Sequence, residues 1–159
     1  MFGFLRDRAS LSGLPTELRQ QLDADDVIVI AERVGVVQHL RGHVPGVVSS
    51  SSASRSHGAF ALTTTRAVAT FPTGGDPLLR AIDSRWDLPR GPARVTIGEK
   101  GMKIDIALRG VDPSFSGSMT LNYKRAIAGV LLDRMPATQL WCSVDPVFVY
   151  RAAGVRPRP

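Results

Sequence analysis

Hydrophobic and polar positions change period several times along the chain, and each change predicts an element. Leu14, Leu18 and Leu22 recur every four residues behind Pro15, which predicts a short amphipathic helix with one leucine edge on the body. From Val27 the run VIVIAERVGVVQHL is rich in β-branched residues and predicts a strand, with Gly35 as its bend. Pro45-Gly46 predicts a turn, and the serine cluster from Ser49 to Ser56 either a solvated edge strand or a mobile loop, of which a loop flanked by strand is favoured. Ala59 to Thr65 and Arg66 to Phe71 read as an extended pair closed by a turn at Pro72, Gly74 and Gly75, and Leu79 to Trp86 as a further strand.

The clearest hairpin is Ala93 to Gly98 with Met102 to Leu108, where Val95 and Ile97, then Ile104, Ile106 and Leu108, alternate around Glu99-Lys100-Gly101. Past Asp112-Pro113 the spacing turns helical. Met119, Tyr123, Ile127, Val130 and Leu131 fall on one stripe between an N-cap at Ser118 and a stop at Pro136, which predicts the longest helix, Ser118 to Met135, packed on the sheet. Gln139 to Ala152 adds a strand, and Arg156 opens a short basic tail. The expected division is an N-terminal arm and short helix over 1–25, a main domain over 26–136, and a C-terminal extension with an extra strand and basic tail over 137–159. The fold class is mainly β (α+β), an antiparallel barrel or two packed sheets with one C-terminal helix.

A length of 159 residues, 43% hydrophobic and 21% charged, suits one domain with a real core. No run of about 18 uncharged apolar residues predicts a membrane-spanning helix. A single cysteine, Cys142, excludes an intrachain disulfide and a cysteine zinc cage. MFGFLRDRAS places Arg6 too early for the apolar region of a signal peptide, so the expected location is cytoplasmic, peripheral at the inner membrane surface.

Charge changes the picture more than composition does. Twenty Lys and Arg against fourteen Asp and Glu give +6, a bias toward polyanions. Lysine occurs only at 100, 103 and 124. Between Glu32 and Asp76 there is no carboxylate, while Arg33, Arg41, Arg55, Arg66, His39, His43 and His57 all lie inside that stretch. Arg41, His43, Arg55, His57 and Arg66, with Trp86, are the candidate partner surface; imidazoles make such a surface responsive to pH.

Element order and the segment HGAFALTTTRAVATF together resemble bacterial pleckstrin-homology-like and GRAM-like domains. There a glycine-led apolar strand ends in Leu-Thr, followed by an Arg that opens the next strand; Leu62, Thr63 and Arg66 stand at those positions. The resemblance implies a seven-stranded, roughly orthogonal barrel closed by a C-terminal helix, over about Asp26 to Met135. The chain departs from lipid-binding eukaryotic relatives in lacking a Lys-rich first hairpin.

Catalytic signatures are missing as pairs rather than as residue types. No serine sits in a Gly-x-Ser-x-Gly elbow, Gly74-Gly75 lacks the Lys-Ser ending of a phosphate loop, and Cys142 has no signalled base. His39, His43 and His57 lack a nearby carboxylate or cysteine to complete a metal set. The reading is therefore a non-enzymatic binding or scaffold domain, without metal or cofactor, whose partner is a protein or an anionic lipid surface. A basic nucleic-acid-associated domain is the alternative, carried by Arg80, Arg85, Arg90, Arg94, Lys100 and Lys103 around Trp86.

Overall fold

Branched side chains carry the first strand, β1, over Val27–Val44, and Pro45-Gly46, with Gly46 at φ 99°, turns the chain into β2, Val47–Thr63. The structure is a computed structural model that describes residues 16–23, 25–71, 80–87 and 90–154. The helix start at Leu14-Pro15, the turn through Pro72, Gly74 and Gly75, Leu79, and the tail from Arg156 lie outside those residues.

So long a hairpin coils rather than staying flat. Arg33 adopts a left-handed φ of 56° where the pairing slips between Ala31 and Val34, and further slips lie between Val27 and Val29 and between Leu40 and Gly42. An extra residue on one side of a ladder bends the strand and sharpens its twist. The bend expected at Gly35 therefore falls two residues earlier. The serine cluster expected as a loop is strand instead, because β1 offers ladder partners along almost the whole length of β2. Within it Ser54 Oγ donates to Gln38 Oε1 at 3.1 Å.

β3 (Arg66–Thr70) and β4 (Arg80–Arg85) continue the sheet on one side of β2. On the other side of β1 come β7 (Ser116–Lys124), β6 (Gly101–Ala107), β5 (Ala93–Gly98) and β8 (Gln139–Cys142). The order is β4-β3-β2-β1-β7-β6-β5-β8, all antiparallel, curled into a nearly closed barrel of eight strands where the resemblance implied seven. The curl brings β7 across to β3: the Tyr123 hydroxyl donates to the Thr70 carbonyl at 2.8 Å, and its ring meets Phe60 edge-on. Gly58 makes room for that crossing, since a Cβ there would collide with the Thr70 carbonyl and press on the Tyr123 ring.

The long helix expected over Ser118 to Met135 does not form. SMTLNYK alternates strictly, so Met119, Leu121 and Tyr123 point inward as the strand β7, hydrogen-bonded between β1 and β6. Spacing of four, as in Met119 and Tyr123, satisfies a strand as well as a helix, and two vacant ladders decide for the strand. Between β7 and β8 the chain makes only one helical turn, α3 (Gly129–Leu132), with Val130 69% exposed rather than packed. The Leu108 end of the sixth strand likewise becomes a turn of helix, α2 (Leu108–Val111).

The helix that does close the molecule is α4, Pro146–Ala152, in a segment expected as strand. Asp145 caps it, accepting from the Val147 amide at 2.8 Å, and Pro146 sits in the first turn, where its missing N–H costs nothing. Phe148 and Val149 are fully buried, with Phe148 edge-on to Phe71. Gln38 Nε2 reaches from inside β1 to the Ala152 carbonyl at 2.9 Å, satisfying the helix C-terminus. The N-terminal helix, α1 (Thr16–Asp23), lies on the opposite surface of the sheet. There Leu18 and Leu22 are buried over Ala59, Ala61 and Val68, whose small size allows the close approach.

Candidate anion-binding face

Strand alternation sorts the candidate residues onto two sides of the barrel wall. Val34, Val36, Leu40 and Val44 are buried on β1, so Gly35, Val37, His39, Arg41 and His43 point outward. Arg55 and His57 do the same on β2, opposite Val37 and Gly35. Continuing across the sheet, Gly35 pairs with Lys124 on β7, Lys124 with Gly101 on β6, and Gly101 with Gly98 on β5. One register row thus reads His57, Gly35, Lys124, Gly101, Gly98, and the next reads Arg55, Val37, Asn122, Lys103, Thr96.

Glycines in the first row leave hollows beside Lys124. One, about 320 Å³, is lined by Gly35, Val37, Arg55, His57 and Lys124; the other, about 520 Å³, by Gly98, Lys100, Lys103, Asn122 and Lys124, with Thr96 at its side. No carboxylate lines either hollow. Arg55, His57, Lys100 and Lys124 are exposed and form no ion pair with another described residue. Two acids flank the second hollow without lining it: Glu99, exposed in the turn between Gly98 and Lys100, and Asp105, which shares itself among Lys103 at 3.7 Å, Arg94 at 3.8 Å and the Thr120 hydroxyl at 3.2 Å. Ion pairs this long and this exposed leave the cations largely available.

Of the six residues singled out by sequence, the structure brings Arg55 and His57 into this row. Arg41 and His43 share the outward face but lie farther along β1, Arg41 about 13 Å from Val37 at the rise of a strand. Arg66 is otherwise engaged: its side chain is 20% exposed and held by Asp25 at 3.3 Å and Asp83 at 3.4 Å, with Arg80 also on Asp83 at 2.7 Å. Trp86 packs against the core and donates its indole N–H to the Thr63 carbonyl at 2.8 Å. Thr63 in turn organises the β2–β3 turn, its hydroxyl accepting from the Arg66 amide at 2.9 Å and the Thr65 amide at 3.1 Å. Leu62, Thr63 and Arg66, which carried the family resemblance, are therefore architecture rather than a binding surface.

Sequence reasoning missed Lys124 and Asn122, which it placed on a helix, and Gly35 and Gly98, which it read as bend and hairpin end. The alternation Ser118-Met119-Thr120-Leu121-Asn122-Tyr123-Lys124 carried the signal for the first pair. His39 and His43 both face outward, four residues apart on β1, while His57 stands opposite Gly35; no group of three or more His, Cys, Asp or Glu close enough to hold a metal occurs among the described residues. Cys142 is buried, and burial pushes its thiol up to about 12, the opposite of an activated nucleophile. Burial also pushes the Tyr123 hydroxyl above its ordinary range. No described helix is long and apolar enough to cross a membrane. Compared with family models, curated proteins and solved structures, the chain matched none of them.

Proposed function

We propose that the chain is a non-enzymatic binding domain of the pleckstrin-homology-like kind that docks on an anionic phospholipid surface through the outward face of β2, β1, β7, β6 and β5. The observation that carries this is a set of cations on one face, Lys124 with His57 in one register row and Arg55 with Lys103 in the next, with Lys100 in the adjoining β5–β6 turn, where Asp105 and Glu99 are the neighbouring acids. A nearly closed barrel with a short C-terminal helix supports the family reading. Basic residues held near an anionic leaflet are worth about 1 kcal/mol each, so these four supply about 4 kcal/mol, a weak and reversible attachment.

Nucleic acid fits this face less well. Single-strand binders stack bases on several exposed aromatics, whereas here Trp141, 46% exposed, stands at the sheet edge with Arg94 over its ring at 5.8 Å. Cosedimentation with phosphatidylglycerol and with phosphatidylcholine vesicles, beside an oligonucleotide titration, tests the reading. Binding to the anionic vesicles at 0.1 M salt is expected, falling at least tenfold at 0.5 M, because exposed charges are screened within about 10 Å at 0.1 M and less at higher salt. Equal binding to both vesicles, or oligonucleotide binding tighter than vesicle binding, would overturn it.

A further inference from the structure

β1 and β2 outrun the strands beside them. On β2 the ladder to β3 ends at Ala59, opposite Thr70, and Gly58 lies so close under the Thr70 carbonyl that a Cβ there would collide with it. From His57 back to Val47, β1 is the one strand paired with β2 among the described residues. The far end of the sheet is treated differently. There the Arg90 amide donates to the Trp141 carbonyl at 2.8 Å and Gly91 closes on the Cys142 carbonyl, so the outer edge of β8 is covered.

An edge strand turns the N–H and C=O of every second residue away from its neighbour, which makes it a template for one more strand. Proteins blunt such edges with proline, lysine, bulges or a covering loop. On β2 the register to β1 is unbroken from Ser52 to His57, and the slip opposite Leu40 and Gly42 falls before that stretch. No Pro or Lys interrupts Val47 to His57. Ala53, Ser54, Arg55 and His57 are exposed, and the backbone of Ala53 to His57 bonds to nothing but β1 among the described residues.

Side chains on the two faces say what an added strand would carry, because residues opposite one another on antiparallel strands share a face. Outward stand Arg55 and His57, two residues apart and without an ion pair to another described residue, which calls for acids at alternate positions. Inward stand Ser54 and Ser56, small hydroxyls that pair across strands with Thr. Ser54 is fixed in that orientation by Gln38, which is itself tied to the end of α4. A second copy of this chain fits less well. Antiparallel self-pairing centred on Ser54 or Arg55 sets the two Arg55 side chains opposite or one pleat apart, within about 5–8 Å, and like charges so placed repel.

We infer that the outer edge of β2 over Ala53–His57 is a strand-addition site for an extended, acidic segment of a partner protein, with its main chain bonded to the edge and its carboxylates beside Arg55 and His57. Strand addition at this edge does not depend on membrane docking.

The probe is the end-capped peptide Glu-Thr-Glu-Thr-Glu-Thr-Glu, fluorescein-labelled, titrated with the whole chain and followed by anisotropy. Saturable binding is expected, at least tenfold tighter than for the same peptide with Lys in place of Glu. Two further peptides carry N-methyl groups on the Glu residues or on the Thr residues. One should bind at least tenfold more weakly and the other within threefold of the parent peptide, because only one set of N–H groups can face the edge. Arg55→Glu, with folding verified by a thermal melt, should weaken the Glu peptide at least tenfold and strengthen the Lys peptide. Lys124→Ala, three strand spacings or about 14 Å from the added strand, should change binding less than twofold. No binding, equal losses from the two N-methylated peptides, or binding unchanged in Arg55→Glu would overturn the site. A dimer in sedimentation that the peptide dissociates would put a second copy on this edge and overturn the acidic partner.

Discussion

Phe148→Ala measures whether α4 is part of the core, and the structure fixes how much it should cost. The ring is fully buried and meets Phe71 edge-on, with centroids 6.2 Å apart. Truncating a buried phenylalanine removes its transfer free energy and leaves a cavity, together about 3–5 kcal/mol. A domain of this size holds about 5–15 kcal/mol in total, so the variant should lose about a fifth or more of its stability. At about 2–4 °C per kcal/mol for a chain of this length, the melting midpoint should fall by about 6–20 °C. Thermal and urea unfolding followed by circular dichroism reads this directly, with two neighbours as internal controls. In a helix, adjacent residues can both be buried, as Phe148 and Val149 are, while Val147 remains 38% exposed. Val149→Ala should therefore destabilise and Val147→Ala should stay within about 0.5 kcal/mol of the parent. In a strand, 147 and 149 would share one face and 148 the other. Large losses at 147 and 149 with a small one at 148 would refute the helix and its place in the core.

Tyr123→Phe removes the hydroxyl that donates to the Thr70 carbonyl and leaves a buried acceptor short of a partner, so it should cost about 1–3 kcal/mol in urea unfolding with no change in m-value. Cys142 should resist iodoacetamide in the folded protein and react on unfolding, and its burial sets a pH dependence. Because its folded thiol is pushed up to about 12, its contribution is fully present below the unfolded thiol value of about 8.5 and is lost as pH rises from there toward 12. The urea midpoint should fall between pH 8.5 and 10, and Cys142→Ala should flatten that fall; an unchanged profile would show that another group carries it.

How much of this was legible in the sequence depended on whether a segment's neighbours were local. The hairpin Ala93–Gly98 with Gly101–Ala107 and the turn at Pro45-Gly46 are local contacts, and alternation and turn chemistry revealed them. Residues 116–132 were not legible because Met119, Tyr123 and Ile127 fit two periods. The choice was made by the free edge of β1, which lies far off in sequence, together with that of the preceding strand β6, and tertiary pairing of this kind overrides a local pattern. The serine cluster reads as a loop for a different reason: its partners on β1 are local, across the Pro45-Gly46 turn, but polar composition outweighs the ladder they offer.

The candidate site shows the same dependence at one remove. Its row is drawn from residues 57, 35, 124, 101 and 98, one from each of five strands, and only 98 and 101, at the end of the β5–β6 hairpin, fall in one short window of the sequence. A carboxylate-free stretch pointed to Arg55 and His57, but nothing in it distinguishes them from Arg66, which the fold ties to Asp25 and Asp83. That distinction comes from burial and pairing. The same alternation that drives Met119, Leu121 and Tyr123 into the core forces Lys124 outward beside Gly35, so core packing and surface chemistry are set by one register. A slip of one residue between β1 and β7 would bury Lys124 and expose Tyr123 at once. The packed barrel therefore also holds Lys124 on the outward face, without any contact made for that purpose.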